Sequence, residues 1–221
     1  MFSIFVAFEL LQKAYGAQHW WPGESVFEVI VGTILTQNTN WKNVERALGN
    51  LRDENLLCVD GMRDLPTTAL AELIRPAGYY RQKSRRLHNF LRFLDETYDG
   101  DLELMFEEPV DELREKLLSI NGVGPETADS ILLYAGQLPA FVVDTYTARV
   151  FKRHGWSEAE ADYYALQSAA EQALPRDVKL YNEFHALIVQ VGKLHCGRIP
   201  QCDGCPLQSI LPASGPLDPC S

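Results

Sequence analysis

The chain has 221 residues, of which 46% are hydrophobic, so it is long enough for one large core or two small ones. No apolar run reaches the length of a membrane span, and we expect a soluble protein without a membrane partner. The formal net charge of −10 argues against a non-specific DNA coat, because attraction to phosphate drives that kind of binding.

Amphipathic segments separated by short turns with Gly or Pro run along the chain, without the alternation typical of a sheet. They predict helices near residues 3–15, 24–37, 40–51, 67–75, 81–97, 110–119, 126–136, 144–154, 158–173 and 179–193. The apolar opening lacks a basic n-region, which favours a packed first helix over a signal peptide. The sequence therefore predicts an all-α protein of the cytoplasm.

Aromatic residues gather around the second predicted helix. Trp20 and Trp21 are followed by Pro22, and Trp41 comes shortly after Leu35-Thr36-Gln37-Asn38-Thr39. Tryptophans this near the start of a chain often join two domains. Their electron-rich rings also suit the binding of a cationic ring system, which we prefer here.

A basic stretch of 18 residues without Asp or Glu, from Arg75 to Arg92, overlaps the helix predicted at 81–97. It contains Arg75, Arg81, Lys83, Arg85, Arg86 and Arg92, interleaved with tyrosines and Gln82. Runs of charge usually form a solvated helix face. Because this one precedes the glycine-rich turn described next, we expect it to contact a nucleic-acid backbone.

The next two helices are predicted to form a hairpin around Asn121-Gly122-Val123-Gly124. Pro125 suits the first position of the second helix, whose apolar face is predicted at Ala128, Ile131, Leu132 and Ala135. Two glycines let the backbone approach a bulky ligand and adopt dihedral angles that a side chain forbids. Free amides at the helix start then favour an anion such as a phosphodiester. A Gly-x-Gly turn alone is more often an ordinary corner.

An acid and a cysteine cluster follow the hairpin. Asp144, after Phe141-Val142-Val143, has the position of an N-cap for the helix that begins near Thr145. Four cysteines occur as Cys196-x5-Cys202-x2-Cys205-x14-Cys220, whereas Cys58 is isolated and is expected to be buried. Clustered thiolates suit a metal site, and a disulfide framework fits poorly with a cytosolic chain.

The hairpin, the turn before Asp144, the Leu35–Thr39 motif and the cysteines together resemble the endonuclease III superfamily of helix-hairpin-helix DNA glycosylases (HhH-GPD). The resemblance covers roughly Trp20 to Cys205. Within it, Trp20-Trp21-Pro22, Arg75-Pro76-Ala77-Gly78-Tyr79-Tyr80 and Pro125-Glu126-Thr127-Ala128-Asp129 look most like the 3-methyladenine DNA glycosylase III branch.

The resemblance implies two helical domains with a DNA-binding cleft between them. One is a helical barrel at 21–136 that contains the helix-hairpin-helix at 113–136. The other is a terminal domain, formed by 1–20 and 137–221, that carries the C-terminal cysteine-rich loop. The expected partner is double-stranded DNA with a damaged base. We expect a monomer associated with the nucleoid.

The resemblance also implies roles for individual residues. Asp144 would stabilise the positive charge that develops on the sugar, and Gln37 would fill the space left by the extruded base. The expected base pocket consists of Trp20, Trp21, Pro22 and Trp41. The expected DNA contacts are Gln37, Gly122, Val123, Gly124, Thr127, Lys83, Arg81 and Arg149. His185 is expected to be a satisfied, partly buried histidine, with a pocket contact as the alternative.

Glu126 decides which chemistry the sequence predicts. In bifunctional members of the superfamily a lysine occupies this position and forms a Schiff base, which a carboxylate cannot do. We therefore expect a monofunctional glycosylase that releases alkylated adenine such as 3-methyladenine, without AP lyase activity. The alternatives are a mismatch glycosylase of the thymine–guanine type, an oxidised-pyrimidine glycosylase, or a non-catalytic module that binds damaged DNA.

The resemblance implies a [4Fe–4S] cluster held by Cys196, Cys202, Cys205 and Cys220. The first gap is one residue shorter than in the superfamily, and Leu211 stands where its fourth cysteine is expected. Zinc is the alternative, held by the same residues or by three of them with His195. A monovalent cation at the hairpin is a further candidate ligand.

Overall fold

The structure, a computed structural model, describes residues 4–21 and 23–217. Its helices are α1 (Ile4–Tyr15), α2 (Val26–Thr36), α3 (Trp41–Asp53), α4 (Val59–Arg63), α5 (Thr67–Leu73), α6 (Tyr80–Tyr98), α7 (Leu102–Phe106), α8 (Val110–Ser119), α9 (Pro125–Ser130), α10 (Thr145–His154), α11 (Tyr163–Ala173) and α12 (Val178–Leu194). Short 3-10 turns occur at Arg75–Ala77 and Gln208–Ile210, and Ile131–Ala135 forms one turn of π-helix. The prediction of an all-helical fold is confirmed.

Each predicted helical segment contains a helix, with differences at the ends and in the short elements. The segment predicted from residue 158 becomes helical only at Tyr163, because Asp162 caps α11 by accepting a hydrogen bond from the amide of Ala165. The pattern also missed α4 and α7, which have five residues each. An element this short does not complete two turns, so it shows no helical periodicity.

The chain divides into two compact units, Trp21–Leu138 and Met1–Trp20 with Pro139–Ser221. In the first unit, α2 is buried from Phe27 to Leu35 and packs against α3, α6 and α9. A helix that is apolar on all sides belongs in the middle of its unit. The predicted apolar face of α9 and the following π-turn is also buried, at Ala128, Ile131, Leu132 and Ala135.

The second unit is built around α1, α10, α11 and α12, which pack on one another. An aspartate caps the start of each of the last three helices: Asp144, Asp162 and Asp177 accept hydrogen bonds from backbone amides three residues later. The predicted N-cap at Asp144 is therefore confirmed. None of the helices in the described ranges combines the length and apolar character that a membrane crossing needs.

Candidate functional site

The hairpin joins α8 to α9 through a turn in which the two glycines have different roles. Gly122 has φ +98°, in the region that favours glycine, and a Cβ there would lie 2.4 Å from Cγ of Arg86. Gly124 is extended, with φ −99° and ψ 178°, and a Cβ there would meet nothing within 4 Å. The expected backbone freedom is thus needed at Gly122, whereas Gly124 leaves open space beside the start of α9.

The amides of the turn differ in their availability to a ligand. The amide of Val123 donates to the carbonyl oxygen of Ile120 at 3.0 Å, so it already has a partner. Within the described part of the chain, the amides of Gly122 and Gly124 donate to no protein acceptor. Gly124 caps α9, which begins with Pro125 as predicted. The phosphate contact of this turn stays a prediction, with the two glycine amides as its donors.

The side-chain amide of Gln37 makes three hydrogen bonds, two to the hairpin and one with Arg86 of α6. Its Nε2 donates to the carbonyl oxygen of Gly122 at 3.1 Å and to Oγ1 of Thr127 at 2.8 Å. Its Oε1 accepts a hydrogen bond from Nη1 of Arg86. The predicted roles of Gln37 and Thr127 at DNA therefore require an exchange of these hydrogen bonds for bonds to the nucleic acid.

Substitution of the two glycines separates the conformation of the turn from its contact with DNA. We expect Gly122→Ala to lower the free energy of unfolding by about 1–3 kcal/mol, since alanine strains this φ and displaces Arg86. Gly124→Ala is the matched control: it should leave stability within about 0.5 kcal/mol, because its Cβ has room. Both variants should weaken duplex binding, measured by fluorescence anisotropy. Wild-type affinity of Gly124→Ala would contradict a backbone contact at this turn.

A buried ion pair, which the sequence analysis missed, joins the two helices of the hairpin. Arg114 of α8 donates to Asp129 of α9 through Nε at 2.6 Å and Nη2 at 2.9 Å, with one bond to each carboxylate oxygen. The side chain of Asp129 is 0% exposed and that of Arg114 is 19% exposed. Paired charges of this geometry fix the mutual orientation of two helices.

The basic stretch of α6 is divided between the interior and the surface. Lys83 is 1% exposed, and its Nζ donates to the carbonyl oxygens of Leu35 and Ala77 at 2.9 and 2.8 Å. Burial, with the nearby charge of Arg86, lowers the pKa of Lys83 to about 8. The prediction that Lys83 contacts DNA is therefore wrong: it holds the end of α2 in place. Arg81 is exposed, with its guanidinium 5.8 Å from the ring centroid of Tyr80.

Of the residues predicted for the base pocket, the structure describes Trp20, Trp21 and Trp41. Pro22 lies outside the described residues. The rings of Trp21 and Trp41 are in T-shaped contact at 5.0 Å, and Trp21 also lies 5.0 Å from Tyr134. Tyr134 belongs to the π-turn, a local widening that occurs frequently at functional sites. A regular helical pattern does not reveal a π-turn, so the sequence did not indicate a role for Tyr134. Trp20 belongs to the other unit, where Nζ of Lys193 lies 5.7 Å from its ring centroid.

Asp144 is oriented by the first turn of α10. Its Oδ1 accepts hydrogen bonds from the amide of Thr147 at 2.7 Å and from the Thr147 hydroxyl at 3.0 Å. His185 of α12 is 5% exposed, and its Nε2 lies 3.9 Å from the same oxygen. Burial lowers the pKa of His185, and the charge of Asp144 opposes that shift. This histidine is buried more completely than expected, and it lies beside the predicted catalytic acid.

Arg149 lies on the same helix as Asp144 and is half-buried. Its Nε donates to the carbonyl oxygen of Thr145 at 3.2 Å, and its guanidinium lies 4.9 Å from the ring centroid of Tyr146. Its predicted contact with DNA stays a prediction.

Glu126 is exposed in the first turn of α9, where a carboxylate is favoured by the helix dipole. Lys116, on the preceding helix, forms an ion pair with Glu108. The hydrogen bond from this lysine to Glu108 raises the pKa of its amine. Lys116 therefore already has a carboxylate partner on its own side of the hairpin.

Three of the four clustered cysteines line one cavity. Cys196, Cys202 and Cys205 line it together with Leu211 and His195, and Cys220 lies outside the described residues. Burial raises the pKa of the Cys202 and Cys205 thiols, and neighbouring cysteine charges add to the effect. In the described ranges, no three His, Cys, Asp or Glu side chains are already arranged as a metal-binding set. Cys58, expected to be buried, is instead exposed and caps α4.

A buried arginine lies against this cavity. Arg153 is 1% exposed and donates to Sγ of Cys196 at 3.2 Å and to the carbonyl oxygens of Gly197 and Arg198 at 2.7 and 2.9 Å. The charge of Arg153 opposes the rise in the pKa of Cys202, but burial has the larger effect. Three cysteine sulfurs that line one cavity are a donor set that fits a metal centre held by thiolates.

The known proteins to which this chain is similar are DNA repair proteins. A family model described as HhH-GPD superfamily base excision DNA repair protein matches residues 31–176. A protein of Methanocaldococcus jannaschii, named as a putative DNA repair glycosylase, is 48% identical over 209 residues, which cover 94% of each chain. Endonuclease III of Thermotoga maritima is 30% identical over 184 residues, which cover 83% of this chain and 81% of its own.

Solved structures give the same result. The crystal structure of an H. pylori 3-methyladenine DNA glycosylase bound to 1,N6-ethenoadenine has a TM-score of 0.77 and 28% identity, and covers 87% of this chain and 98% of its own. The structure of a non-covalent endonuclease III–DNA complex has a TM-score of 0.80 and 25% identity, and covers 94% of this chain and 93% of its own.

Proposed function

The chain belongs to the HhH-GPD superfamily of base excision DNA repair proteins, and we propose that it is a monofunctional DNA glycosylase that releases alkylated adenine, 3-methyladenine in particular. It binds damaged duplex DNA, takes the damaged base out of the stack, and hydrolyses the N-glycosidic bond to leave an abasic site. The observation that carries the proposal is the carboxylate of Asp144, which Thr147 and the start of α10 hold in one orientation.

Asp144 acts on the sugar. Breakage of the N-glycosidic bond builds positive charge on the anomeric carbon, and a fixed carboxylate stabilises that charge or orients the attacking water. Both hydrogen bonds from Thr147 go to Oδ1, so they fix the carboxylate while Oδ2 remains for the substrate. Burial lowers the pKa of His185, whose Nε2 lies 3.9 Å from Oδ1.

The aromatic residues select the base. Alkylation at N3 or N7 makes a purine cationic, so it stacks strongly on indole and phenol rings and is also a good leaving group. The half-buried rings of Trp21 and Trp41 contact each other, and the buried ring of Tyr134 supports Trp21. The similarity to the H. pylori 3-methyladenine DNA glycosylase supports this choice of substrate.

The residue at position 126, a glutamate, is the reason that we propose no lyase activity. Glu126 cannot form an imine with the abasic sugar, and Lys116 is held protonated by Glu108. Lys83 has a lowered pKa, but its amine is buried against two backbone carbonyls. The reaction therefore ends at the abasic site.

Base release from a panel of duplexes tests the substrate. Separate duplexes carry a 3-methyladenine analogue, uracil, a thymine–guanine mismatch and an oxidised pyrimidine, and released bases are quantified by chromatography. We expect release from the alkylated duplex to be fastest. Preference for the mismatch or the oxidised pyrimidine would replace the proposed substrate, and no release from any duplex would identify a binding module instead.

We further propose that Cys196, Cys202, Cys205 and Cys220 hold a [4Fe–4S] cluster. When bound, the cluster supplies a structural cross-link for the loop after α12. Arg153 donates to the sulfur of Cys196, as expected beside thiolates that carry negative charge. Leu211 lines the same cavity, which supports the assignment of the fourth ligand to a cysteine further along the chain.

Metal analysis tests the cluster independently of catalysis. Protein purified without oxygen should contain about four irons per chain and absorb in the thiolate-to-iron region. Cys202→Ser should lose most of the iron, whereas Cys58→Ser, the control at an exposed cap, should retain it. Stoichiometric zinc in a colourless protein would contradict iron, and full iron content in Cys220→Ser would contradict the fourth ligand.

A further inference from the structure

A polar groove lies between α6 and the hairpin turn, within the unit Trp21–Leu138. Its volume is about 380 Å³. The side chains that α6 contributes recur every three or four residues, so they share one helix face: Gln82, Arg85, Arg86, His88, Asn89 and Arg92. Asn121 and Gly122 form the opposite wall, and Nδ2 of Asn89 donates to the carbonyl oxygen of Asn121 at 2.9 Å. The groove is therefore continuous with the backbone of the predicted phosphate-binding turn.

The charge of the groove is positive and is not neutralised by protein. The residues that line it, all in the described part of the chain, include three arginines and no aspartate or glutamate. Within the described residues, no carboxylate oxygen lies within 4.0 Å of a guanidinium nitrogen of Arg85, Arg86 or Arg92. The charge of Arg86 also contributes to the lowered pKa of Lys83. In a chain of net charge −10, this separation of charge points to an anionic ligand.

Arg86 connects the groove to the site already described. Its side-chain stem lies against Gly122, where a Cβ would be 2.4 Å from Cγ of Arg86. Its Nη1 donates to Oε1 of Gln37. A guanidinium has five N–H donors, so one bond to Gln37 leaves donors for a ligand in the groove that Arg86 lines.

We propose that this groove binds a second backbone phosphodiester of the duplex, next to the one predicted at the amides of Gly122 and Gly124. Arg85, Arg86 and Arg92 are its ligands, since guanidinium groups match phosphate oxygens in geometry and charge. Arg86 is also a positioning residue. When its guanidinium binds a phosphate, the hydrogen bond from Arg86 to Gln37 weakens, and the Gln37 amide becomes available to DNA. The proposal rests on the proposed function in one respect, that the ligand is duplex DNA.

The salt dependence of binding to an undamaged duplex tests the groove. Each phosphate contact that is lost should reduce the slope of log K against log salt by about 0.9. We expect Arg85→Gln and Arg92→Gln each to show this reduction, with uniformly weaker binding across sequences. Arg46→Gln, an exposed arginine on α3 outside the groove, is the matched control and should keep the wild-type slope. Slopes of Arg85→Gln and Arg92→Gln equal to that of the control would overturn the proposal.

Duplex length and a free anion complete the test. Two series of duplexes are made, each shortened stepwise from one end. In one of the two series, the effect of Arg92→Gln on the salt slope should disappear once the DNA is too short to reach the groove. An effect that persists at every length would contradict a local contact. Tripolyphosphate is titrated in parallel: if the substitutions weaken its binding and leave duplex binding unchanged, the groove takes a small free anion and the proposal is overturned.

The link between Arg86 and Gln37 is tested by a double-mutant cycle on duplex affinity. Gln37→Ala and Arg86→Gln should be non-additive, with a coupling energy different from zero. Strict additivity would overturn the positioning role of Arg86. These assays use undamaged DNA and no base release, so failure of the glycosylase assignment and failure of the groove are distinguishable.

Discussion

Asp144→Asn is expected to reduce the rate of base release by about 10²–10³-fold or more, equivalent to roughly 2.7–4 kcal/mol of transition-state stabilisation. The substitution removes the negative charge that faces the developing sugar cation. Asparagine is as good an N-cap as aspartate, so the hydrogen bond to the amide of Thr147 can persist and α10 should remain capped. The rate is measured under single-turnover conditions with enzyme in excess.

Asp177→Asn is the matched control, because Asp177 caps α12 in the same way that Asp144 caps α10. It should leave both base release and the free energy of unfolding close to wild type. Asp144→Asn should also unfold at the wild-type urea concentration and bind damaged duplex with little loss. Base release by Asp144→Asn within about threefold of wild type would exclude charge stabilisation by this carboxylate.

Arg114→Met is expected to lower the free energy of unfolding by about 3–5 kcal/mol, because it leaves the carboxylate of Asp129 buried without its bidentate partner. Asp129 is 0% exposed and accepts both hydrogen bonds at 2.6 and 2.9 Å. Since the pair joins α8 to α9, loss of stability should be accompanied by weaker duplex binding. Urea denaturation gives the first quantity, and fluorescence anisotropy gives the second.

Arg75→Met is the control for a surface ion pair. Arg75 lies 3.4 Å from Glu72, and both side chains are more than half exposed. Its loss should change stability by less than about 1 kcal/mol, because solvent screens such pairs. If Arg114→Met and Arg75→Met had the same stability, the buried pair would contribute no more than a surface pair, and its role in fixing the hairpin would be disproved.

The sequence was sufficient for features that depend on local order along the chain. Helical periodicity located the longer helices, and Pro125 and Asp144 correctly marked the beginnings of α9 and α10. These features are predictable because capping and amphipathic burial act over a few neighbouring residues.

Features that depend on the orientation of one element against another were not predictable from periodicity. Lys83 occurs in a basic stretch and was assigned to the surface, but its position on α6 points it at the carbonyl oxygens of Leu35 and Ala77. The pairing of Arg114 with Asp129 depends on how two helices meet. Tyr134 joins Trp21 through a π-turn that a regular helical pattern does not reveal.

The most direct test of the account counts strand breaks against released bases on one duplex with a single alkylated adenine. The account predicts that base release goes to completion while the strand stays intact, and that strand breaks equal to the released bases appear only after alkali is added. Strand breaks that accumulate with base release before alkali, together with a covalent protein–DNA adduct trapped by borohydride, would contradict it. That result would show that an amine of this chain performs the chemistry that Glu126 excludes.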